Sequence, residues 1–380
     1  MGQEPRLLQE SGTATPLLQE SGMDLVRHGY SELDLALIDA LQTDPRAQWS
    51  RIGRVLGVDS TTVARHWERM RDAGLAWISA CGSTKMITLA HVEVRCRSRY
   101  LASVSATLAR LPWVISVDET AGEFDFHLGV VATDLAGLGR SVHESIGTLR
   151  GVRDVRLHVG ITHYSEGSQW RTRAIAPQAR AALLPPQPPS RFAFNSQPHD
   201  LLAPPDATLL SALSDDGRIG YSELAAVTGM SEHTVRRRLQ RMRRDGDIVL
   251  RCELAHKLAG FPTVMVYRAS VPYPLLDQTG AAVARLQPTR LCISQSGPHN
   301  LLMRVWMHGM DAVDQFEGLL ADRFPALEVR DRTVVLSSLK RMDRLLDAHG
   351  RATGRVPIQA PQLRERPHIA GCADTTVHRA

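Results

Sequence analysis

The pattern of apolar residues predicts three short helices between residues 30 and 80. Apolar positions recur every three or four residues in the first and third helices, so each has one inward face. The inward residues are Leu37, Ile38, Leu41, Val63, Trp67 and Met70. Gly57 can end the second helix and Asp59 can cap the third, with a tight turn between them. This succession predicts a helix-turn-helix.

The same pattern returns 172 residues later without a gap. The segment "DSTTVARHWERMRDAG" from Asp59 is matched by "SEHTVRRRLQRMRRDG" from Ser231. The second set of inward residues is Leu209, Leu210, Leu213, Val235, Leu239 and Met242. The chain is therefore predicted to be an internal duplication.

Each helical unit is followed by segments with strand character. In the first half these are "KMITLAHVEVRC", "WVISVDET", "EFDFHLGVVA" and a strand over 152–163, with helices over 100–111 and 134–149 between them. The order β-α-β-β-α-β is that of a ferredoxin-like unit. The predicted fold class is α+β, with two tandem copies of a winged-helix-like helix-turn-helix domain, each followed by a ferredoxin-like sandwich domain.

Composition sets the domain boundaries. Eight of the 21 prolines fall between residues 174 and 205, which is typical of a stiff, extended linker. The predicted domains are a disordered tail (1–29), helix-turn-helix 1 (30–80), sandwich domain 1 (84–173), the linker (174–205), helix-turn-helix 2 (206–252), sandwich domain 2 (257–349) and a second disordered tail (350–380).

Composition also limits the class of protein. The net charge of +5 is only a mild attraction for polyanions, and the five cysteines form no C-x-x-C pair. We therefore predict no metal, no cofactor and a reduced, cytoplasmic environment. The chain has no signal sequence and no apolar run near 18 residues, so we expect no membrane association.

The third helix of the second copy is a candidate DNA-binding element. Six arginines lie between Arg236 and Arg244, although arginine is abundant throughout the chain, which makes a solvated helix face the simpler alternative. With the apolar stripe turned inward, the outward face carries His233, Arg236, Arg237, Gln240, Arg241 and Arg244. Arginine and glutamine can bind base edges, and arginine can bind phosphate, so this face is predicted to contact double-stranded DNA.

The first copy is a weaker candidate. Its corresponding residues include Thr61, Arg65 and Arg69, but Glu68 and Asp72 would repel phosphates. Ser50 and Ser222 open the second helices and could either donate to phosphate or act as plain N-caps.

The string "LSALSDDGRIGYSELAAVTGMSEHTVRRRLQRMRRDGDI" resembles the helix-turn-helix of Lrp/AsnC (feast/famine) transcriptional regulators. "AGEFDFHLGVV" and "SGPHNLLMRVW" resemble the G-x-x-D turn of that family's effector-binding sandwich domain. The first copy matches less closely, with Pro45 in place of the glycine of D-G-R. The likeness covers about 290 residues, without the tails and linker.

The resemblance implies a sequence-specific DNA-binding transcriptional regulator. Family members dimerise through their sandwich sheets, so the two halves are expected to form an intramolecular pseudo-dimer that reads two unequal half-sites. The resemblance does not decide whether the chain forms larger homo-oligomers. It also implies that the protein is associated with the nucleoid. An amino acid or related small metabolite is expected to bind at positions that match the family's effector site. These are Gly122, Asp125, Leu135, His158, Val159, Gly160, Gly297, Asn300, Met310, Thr333, Val334 and Val335.

Two other functions remain open. Some proteins of similar architecture are sirohaem decarboxylases, and His127, His143, His158 and His163 could serve such chemistry. An architectural protein that coats DNA without an effector is the other alternative. No nucleophile elbow, P-loop or zinc pattern is present, so no catalytic residue is predicted and the chain is not expected to be an enzyme.

Overall fold

The computed structural model describes residues 29–82, 87–185 and 204–360. It confirms the α+β fold and the duplication. The predicted N-terminal tail lies outside the described residues, except for Gly29.

The first half begins with the predicted helix-turn-helix. Its elements are α1 (Glu32–Thr43), α2 (Trp49–Leu56), α3 (Ser60–Asp72), β1 (Ala76–Gly82), β2 (Thr88–Cys96), α4 (Leu101–Arg110), β3 (Val114–Ala121), β4 (Phe126–Ala132), α5 (Leu135–Val142), β5 (Val152–Ser165) and α6 (Pro177–Leu183). Gly57 ends α2 in the left-handed region, and the Asp59 carboxylate accepts from the Thr61 N–H as the cap of α3. The helix predicted over 134–149 is α-helical only to Val142 and continues as a π-turn to Gly147.

The second half repeats this order. Its elements are α7 (Pro204–Asp215), α8 (Tyr221–Thr228), α9 (Glu232–Asp245), β6 (Ile248–Leu254), β7 (Thr263–Ser270), α10 (Tyr273–Val283), β8 (Thr289–Gln295), β9 (Leu301–Met307), α11 (Asp311–Arg323), β10 (Glu328–Arg341), β11 (Arg344–Leu346) and β12 (Ala352–Arg355). Ser231 caps α9 as predicted, and its hydroxyl accepts from the Thr234 N–H. Of the six predicted inward residues here, all but the half-buried Leu210 are fully buried.

The two halves are joined by continuous hydrogen bonding. Strands β1 and β6, which the sequence interpretation missed, form an antiparallel ribbon from Ala76 opposite Leu254 to Gly82 opposite Ile248. The sandwich strands form one ten-stranded sheet in the order β12-β11-β10-β3-β4-β2-β5-β8-β9-β7, in which β10 also pairs with β7. Strand β5 therefore pairs with β8, and β10 with β3, so sheet edges from opposite halves meet within one chain, as expected.

The two helix-turn-helix domains differ in how their apolar cores contact the sheet. The core of the first is continuous with the sheet through Trp170, Ile175, Leu183, Phe261 and Trp306. The second has a separate small core, formed by α7, α8, α9 and the β1–β6 ribbon. The apolar contact between helix-turn-helix and sheet is thus extensive only for the first copy.

The predicted linker is wrong at its start. Residues 177–183 form α6, which packs on the first helix-turn-helix with Leu183 buried and Arg180 paired with Asp39 at 2.8 Å. Proline at the first position of a helix is favourable, so a proline count alone did not exclude this helix. Residues 186–203 lie outside the described residues.

The predicted C-terminal tail is also wrong for its first residues. Strand β12 pairs with β11, and the Ala352 N–H donates to the Gly74 carbonyl at 2.8 Å. Gly74 has φ +65°, and a Cβ there would come within 2.3 Å of the Ala352 oxygen. The close approach of this segment therefore requires glycine at the end of the first helix-turn-helix. Residues 361–380 lie outside the described residues.

Candidate nucleic-acid interface and ligand sites

Helix α9 presents the predicted basic face to solvent. Val235, Leu239 and Met242 are buried beneath it. The exposed residues are His233, Arg236, Arg237, Gln240, Arg241 and Arg244, which is the full predicted set. The corresponding face of α3 exposes Thr61, Arg65 and Arg69 together with Glu68 and Asp72.

One arginine of each face also has a structural contact. Arg241 pairs with the buried Asp206 at 2.6 Å, and Arg69 pairs with the buried Asp34 at 2.5 Å. Each aspartate lies near the start of the first helix of its domain and accepts a second partner from the third helix, Arg238 or His66. These forks hold the first helix against the third, so Arg69 and Arg241 have a role besides any contact with DNA.

Arg65 and Arg237 occupy equivalent positions of the two copies. Both are exposed, and neither has an ion-pair partner among the described residues. Arg236 lies over the Tyr221 ring with its Cζ 4.6 Å from the centroid, and Arg244 pairs with its neighbour Asp245. Arg237 is therefore the most available of the arginines on the α9 face.

The structure excludes one of the two predicted roles of Ser50 and Ser222, the N-cap role. Gln48 precedes α2 and Gly220 precedes α8 as the cap residues, so the N-cap role of both serines is wrong. Both side chains are exposed in the first turn, where N–H groups and hydroxyls face outward. Phosphate contact remains a prediction for both.

The two helix-turn-helix domains are locked together by a pair of equivalent arginines. Arg46 donates to the carbonyls of Gly217 and Ile219 at 2.8 and 2.9 Å. Arg218 donates to the carbonyls of Pro45 and Ala47 at 2.7 and 3.0 Å. We call these contacts the arginine junction.

Ring contacts and a further ion pair extend the arginine junction. Arg218 lies over Trp49 and Arg46 over the Tyr221 ring, with Cζ–centroid distances of 3.6 and 4.9 Å. Arg243 of α9 also reaches Asp44 of the first half at 3.0 Å. The sequence interpretation missed Arg46 and Arg218, although both copies keep an arginine here while the preceding glycine and proline differ.

Predicted effector residues of one half lie beside predicted effector residues of the other half. A Cβ at Gly297 would lie 3.1 Å from the His158 Nδ1, and one at Gly122 would lie 3.5 Å from the Thr333 Oγ1. The Ser296 hydroxyl accepts from the Val159 N–H at 2.9 Å, which ties β5 of the first half to the turn of the second. Each glycine turn therefore faces the last sandwich strand of the other half. The prediction grouped the effector residues by half, and this grouping is wrong.

The carboxylate predicted to receive an ammonium group is already engaged. The Asp125 Oδ2 accepts from the Cys96 N–H at 2.6 Å. At the equivalent place, the Asn300 amide accepts from the Val271 N–H and donates to the Val271 carbonyl, at 2.9 and 2.8 Å. Both side chains pin the hairpin to the end of the neighbouring strand, and asparagine performs this task without a charge.

The remaining predicted effector residues differ in exposure. Leu135 and Met310 are 62% and 58% exposed at equivalent helix starts, whereas Val335 is buried in the first core. Val334 pairs with Ala121 and Met265, and a Cβ at Gly160 would meet Ile293 at 2.4 Å. Val335 and Gly160 are therefore positioned as packing residues, whereas Leu135 and Met310 are open to solvent.

Metal and membrane sites were also considered. Within residues 29–82, 87–185 and 204–360, no group of three or more His, Cys, Asp or Glu side chains is placed to hold a metal ion. In the same ranges, no helix has the length and apolar character needed to cross a bilayer.

Two helix-turn-helix domains on a duplicated ferredoxin-like sheet define a class of DNA-binding architectures, and family comparisons agree. The AsnC-type helix-turn-helix domain matches residues 31–71 and 206–243, and the Lrp/AsnC ligand binding domain matches residues 89–170. The chain thus carries two AsnC-type helix-turn-helix domains in tandem and an Lrp/AsnC ligand binding domain.

Individual relatives are more distant. An uncharacterised HTH-type transcriptional regulator of Pyrococcus furiosus is 28% identical over 139 residues, which is 36% of this chain and 92% of the relative. The HTH-type transcriptional regulator FL11 of Pyrococcus horikoshii is 22% identical over 38% of this chain and 97% of its own length. The siroheme decarboxylase NirDL, solved in co-complex with an iron-uroporphyrin III analogue, covers 82% of this chain and 93% of its own with a TM-score of 0.54. At 13% identity, this last likeness shows the fold alone.

Proposed function

We propose that this protein is a transcriptional regulator of the Lrp/AsnC type that binds double-stranded DNA as an intramolecular pseudo-dimer. The observation that carries the proposal is the exposed basic face of α9, supported by the buried stripe of Val235, Leu239 and Met242. A recognition helix with this arrangement can enter the major groove while its arginines bind phosphates and base edges.

The two copies would read unequal half-sites. The face of α9 is mainly cationic, whereas that of α3 combines Arg65 with Glu68 and Asp72. Carboxylates repel phosphate but can accept from cytosine amino groups, so α3 is suited to base contact with less phosphate attraction. The arginine junction and the β1–β6 ribbon would hold the two helices at a fixed separation, of roughly one or more DNA turns.

An amino acid or related small metabolite is the proposed effector at the two turns. The Gly122 and Gly297 turns supply backbone groups there, and the family resemblance adds the exposed Leu135 and Met310 as apolar contacts. Thermal-shift measurements with each of the amino acids test this role, with Leu135→Glu as the variant expected to abolish any response. Asp125→Asn is the matched control and should keep it, because asparagine already fills the equivalent position.

The proposal places the protein in the cytoplasm, on the chromosome, with no catalytic activity. The alternative of a decarboxylase is supported by the fold likeness and by the buried imidazoles of His91 and His127. Incubation with siroheme under reducing conditions, followed by mass spectrometry, distinguishes the two functions. Loss of carbon dioxide from the tetrapyrrole would support the enzyme, and unchanged mass supports a regulator.

Retention of genomic DNA tests the proposal most broadly. Purified protein is mixed with fragments of its native chromosome at low salt, and the retained fragments are sequenced. A regulator enriches a limited set of sites with a common spacing, and an Arg237→Ala variant should lose most of this enrichment. Uniform, strongly salt-dependent retention would instead indicate an architectural protein.

A further inference from the structure

A large cavity lies between the sheet and the second helix-turn-helix. Its volume is about 890 Å³, within the range of about 300–1,000 Å³ that is usual for sites of drug-sized ligands. Its walls include β1, the inner face of β2 to β4, the end of β10 and helix α7. The residues of α7 that line it are Ala207, Leu210, Ser211 and Ser214.

The equivalent space under the first helix-turn-helix is filled. There Trp170 packs edge-on against both Phe261 and Trp306, with centroid distances of 5.0 and 4.9 Å. Ile175 and Leu183 complete the contact with the first helix-turn-helix core. The cavity extends from this packed region towards the second helix-turn-helix, and Trp306 lines it together with Ile115 and Val131 of the first half.

The cavity has a cationic lining. Six basic side chains border it against two carboxylates, Glu166 and Asp343. The basic residues are Arg251, Arg290, Arg304, Lys340, Arg341 and Arg355. Two further carboxylates, which do not line the cavity, pair with these arginines. Asp118 pairs with Arg304, and Glu253 pairs with Arg251 and Arg290. The Lys340 ammonium donates to the Leu111 carbonyl at 2.8 Å. Burial lowers the pKa of Lys340 to about 8, and the nearby Asp343 opposes this shift.

Two buried side chains at the wall have nitrogen atoms without partners. Both ring nitrogens of His91 and the Nη1 of Arg290 have no hydrogen-bond partner among the described residues. These side chains are only 4% and 5% exposed. A buried donor that is left unpaired is unfavourable, so such groups are expected where a ligand supplies the partner. Apolar surface from Leu89, Ile115 and Leu291 lies beside them.

We propose that this cavity binds a bulky organic anion with an apolar body and more than one carboxylate, and that the ligand acts on the second helix-turn-helix. The volume exceeds what a free amino acid needs, and the Lys340 ammonium and the Arg290 Nη1 are donors that the carboxylates of such a ligand can use. Because α7 forms one wall, an occupant contacts the first helix of the DNA-binding domain directly. Binding would therefore act on α9 through α7, because Asp206 of α7 pairs with Arg238 and Arg241 of α9.

The segment after β10 closes one side of the cavity. Pro357 to Ala360 line it, and the Gln359 N–H donates to the Pro112 carbonyl at 3.1 Å. Arg355 joins Asp343 and Asp215 at 2.7 and 3.1 Å, which ties this segment to the end of α7. A ligand would thus be enclosed between the sheet, α7 and this segment.

The proposal rests on the proposed function only for its regulatory part, so binding and regulation are measured separately. Coproporphyrin III, a flat apolar ring with four carboxylates, is the probe, and calorimetry on the full chain measures its affinity. We expect one bound molecule per chain. Ile115→Trp places a larger ring inside the cavity and Lys340→Met removes a charge with little change in shape, so each should weaken binding at least tenfold. Ile161→Trp, at an exposed position of β5 outside the cavity, is the matched control and should bind as the wild type does.

A second readout is the affinity of the ligand-free and probe-saturated chains for one retained DNA fragment. A change of at least threefold is expected in the wild type and not in Lys340→Met. Thermal melting checks that each variant is folded. No probe binding, or equal affinity in the wild type and both cavity variants, would overturn the site. Binding at the cavity with unchanged DNA affinity would overturn the coupling, and a chain that retains no DNA at all contradicts the proposed function without affecting the calorimetry.

Discussion

Glu93 and Arg268 occupy equivalent positions of the two halves and pair with each other. They lie in β2 and β7, with the Arg268 Nη1 and the Glu93 Oε1 2.6 Å apart and side chains only 9% and 5% exposed. His158 adds a second partner to Glu93 at 3.2 Å. Had two copies of the same half paired symmetrically, like charges would have met at this place. Divergence of the two halves therefore favours pairing within the chain over pairing of like halves.

Reversal of this ion pair should be strongly destabilising, and double reversal should restore part of the loss. Glu93→Arg places two buried guanidiniums together and should reduce the free energy of unfolding by about 3–5 kcal/mol. Adding Arg268→Glu should recover at least half of that, measured by denaturant unfolding. Recovery stays incomplete because Arg268 also binds Asp331. Equal instability of the single and double variants would show that the pair does not select the partner half.

The arginine junction should determine the spacing of the two half-sites. Arg218→Ala removes two charge-assisted hydrogen bonds and the contact with Trp49, which should cost about 2–3 kcal/mol of stability. DNA sites with spacers lengthened or shortened by a few base pairs should then be bound nearly as well as the native spacing. Competition binding checks this, with Arg153→Ala, an exposed arginine of β5, as the charge-matched control. A variant that discriminates spacers as sharply as the wild type would contradict this role.

Stability should fall as the pH drops from 7.5 to 5.5. Burial, with nearby positive charge or neighbouring histidines, holds the pKa of His91, His127 and His256 well below 6.5. The unfolded chain binds protons at these imidazoles near pH 6.5 while the folded chain does not, so stability is present above that pH and is lost below it. These three histidines together give a loss of about 4 kcal/mol at pH 5.5, and His163, whose pKa burial lowers to about 4, adds about 1 kcal/mol. Denaturant unfolding at each pH measures it.

His91→Leu provides the control for this prediction. It removes one of these groups, so the loss between pH 7.5 and 5.5 should shrink by about 1.4 kcal/mol. The same loss in the variant, or a flat profile in the wild type, would show that these imidazoles are not the source of the pH dependence.

The sequence predicted the helices well because a period near 3.6 is visible over a dozen residues. Helix α3 and its cap Asp59, and α9 with its cap Ser231, lie where the pattern placed them. The β1–β6 ribbon was missed because it lies outside the β-α-β-β-α-β order by which the other strands were recognised, and because each of its strands pairs with the other half.

The sites were less predictable than the elements, because contacts between the halves decide them. Gly297 faces His158 and Gly122 faces Thr333, so grouping residues by copy assigned each turn to the wrong strand. The cavity under α7 was invisible for a similar reason. Its lining comes from both halves and from residues after Gly350, and no short motif contains more than a few of them.

The central claim is that α9 and α3 bind opposite half-sites of one operator, and footprinting of Arg237→Ala and Arg65→Ala on a retained fragment tests it most directly. The account predicts that Arg237→Ala loses protection over one half-site and Arg65→Ala over the other. If Arg237 contacts phosphate, the slope of log K against log salt should also fall by about 1 in its variant. Protection lost from the same half-site in both variants, or from neither, would contradict the account.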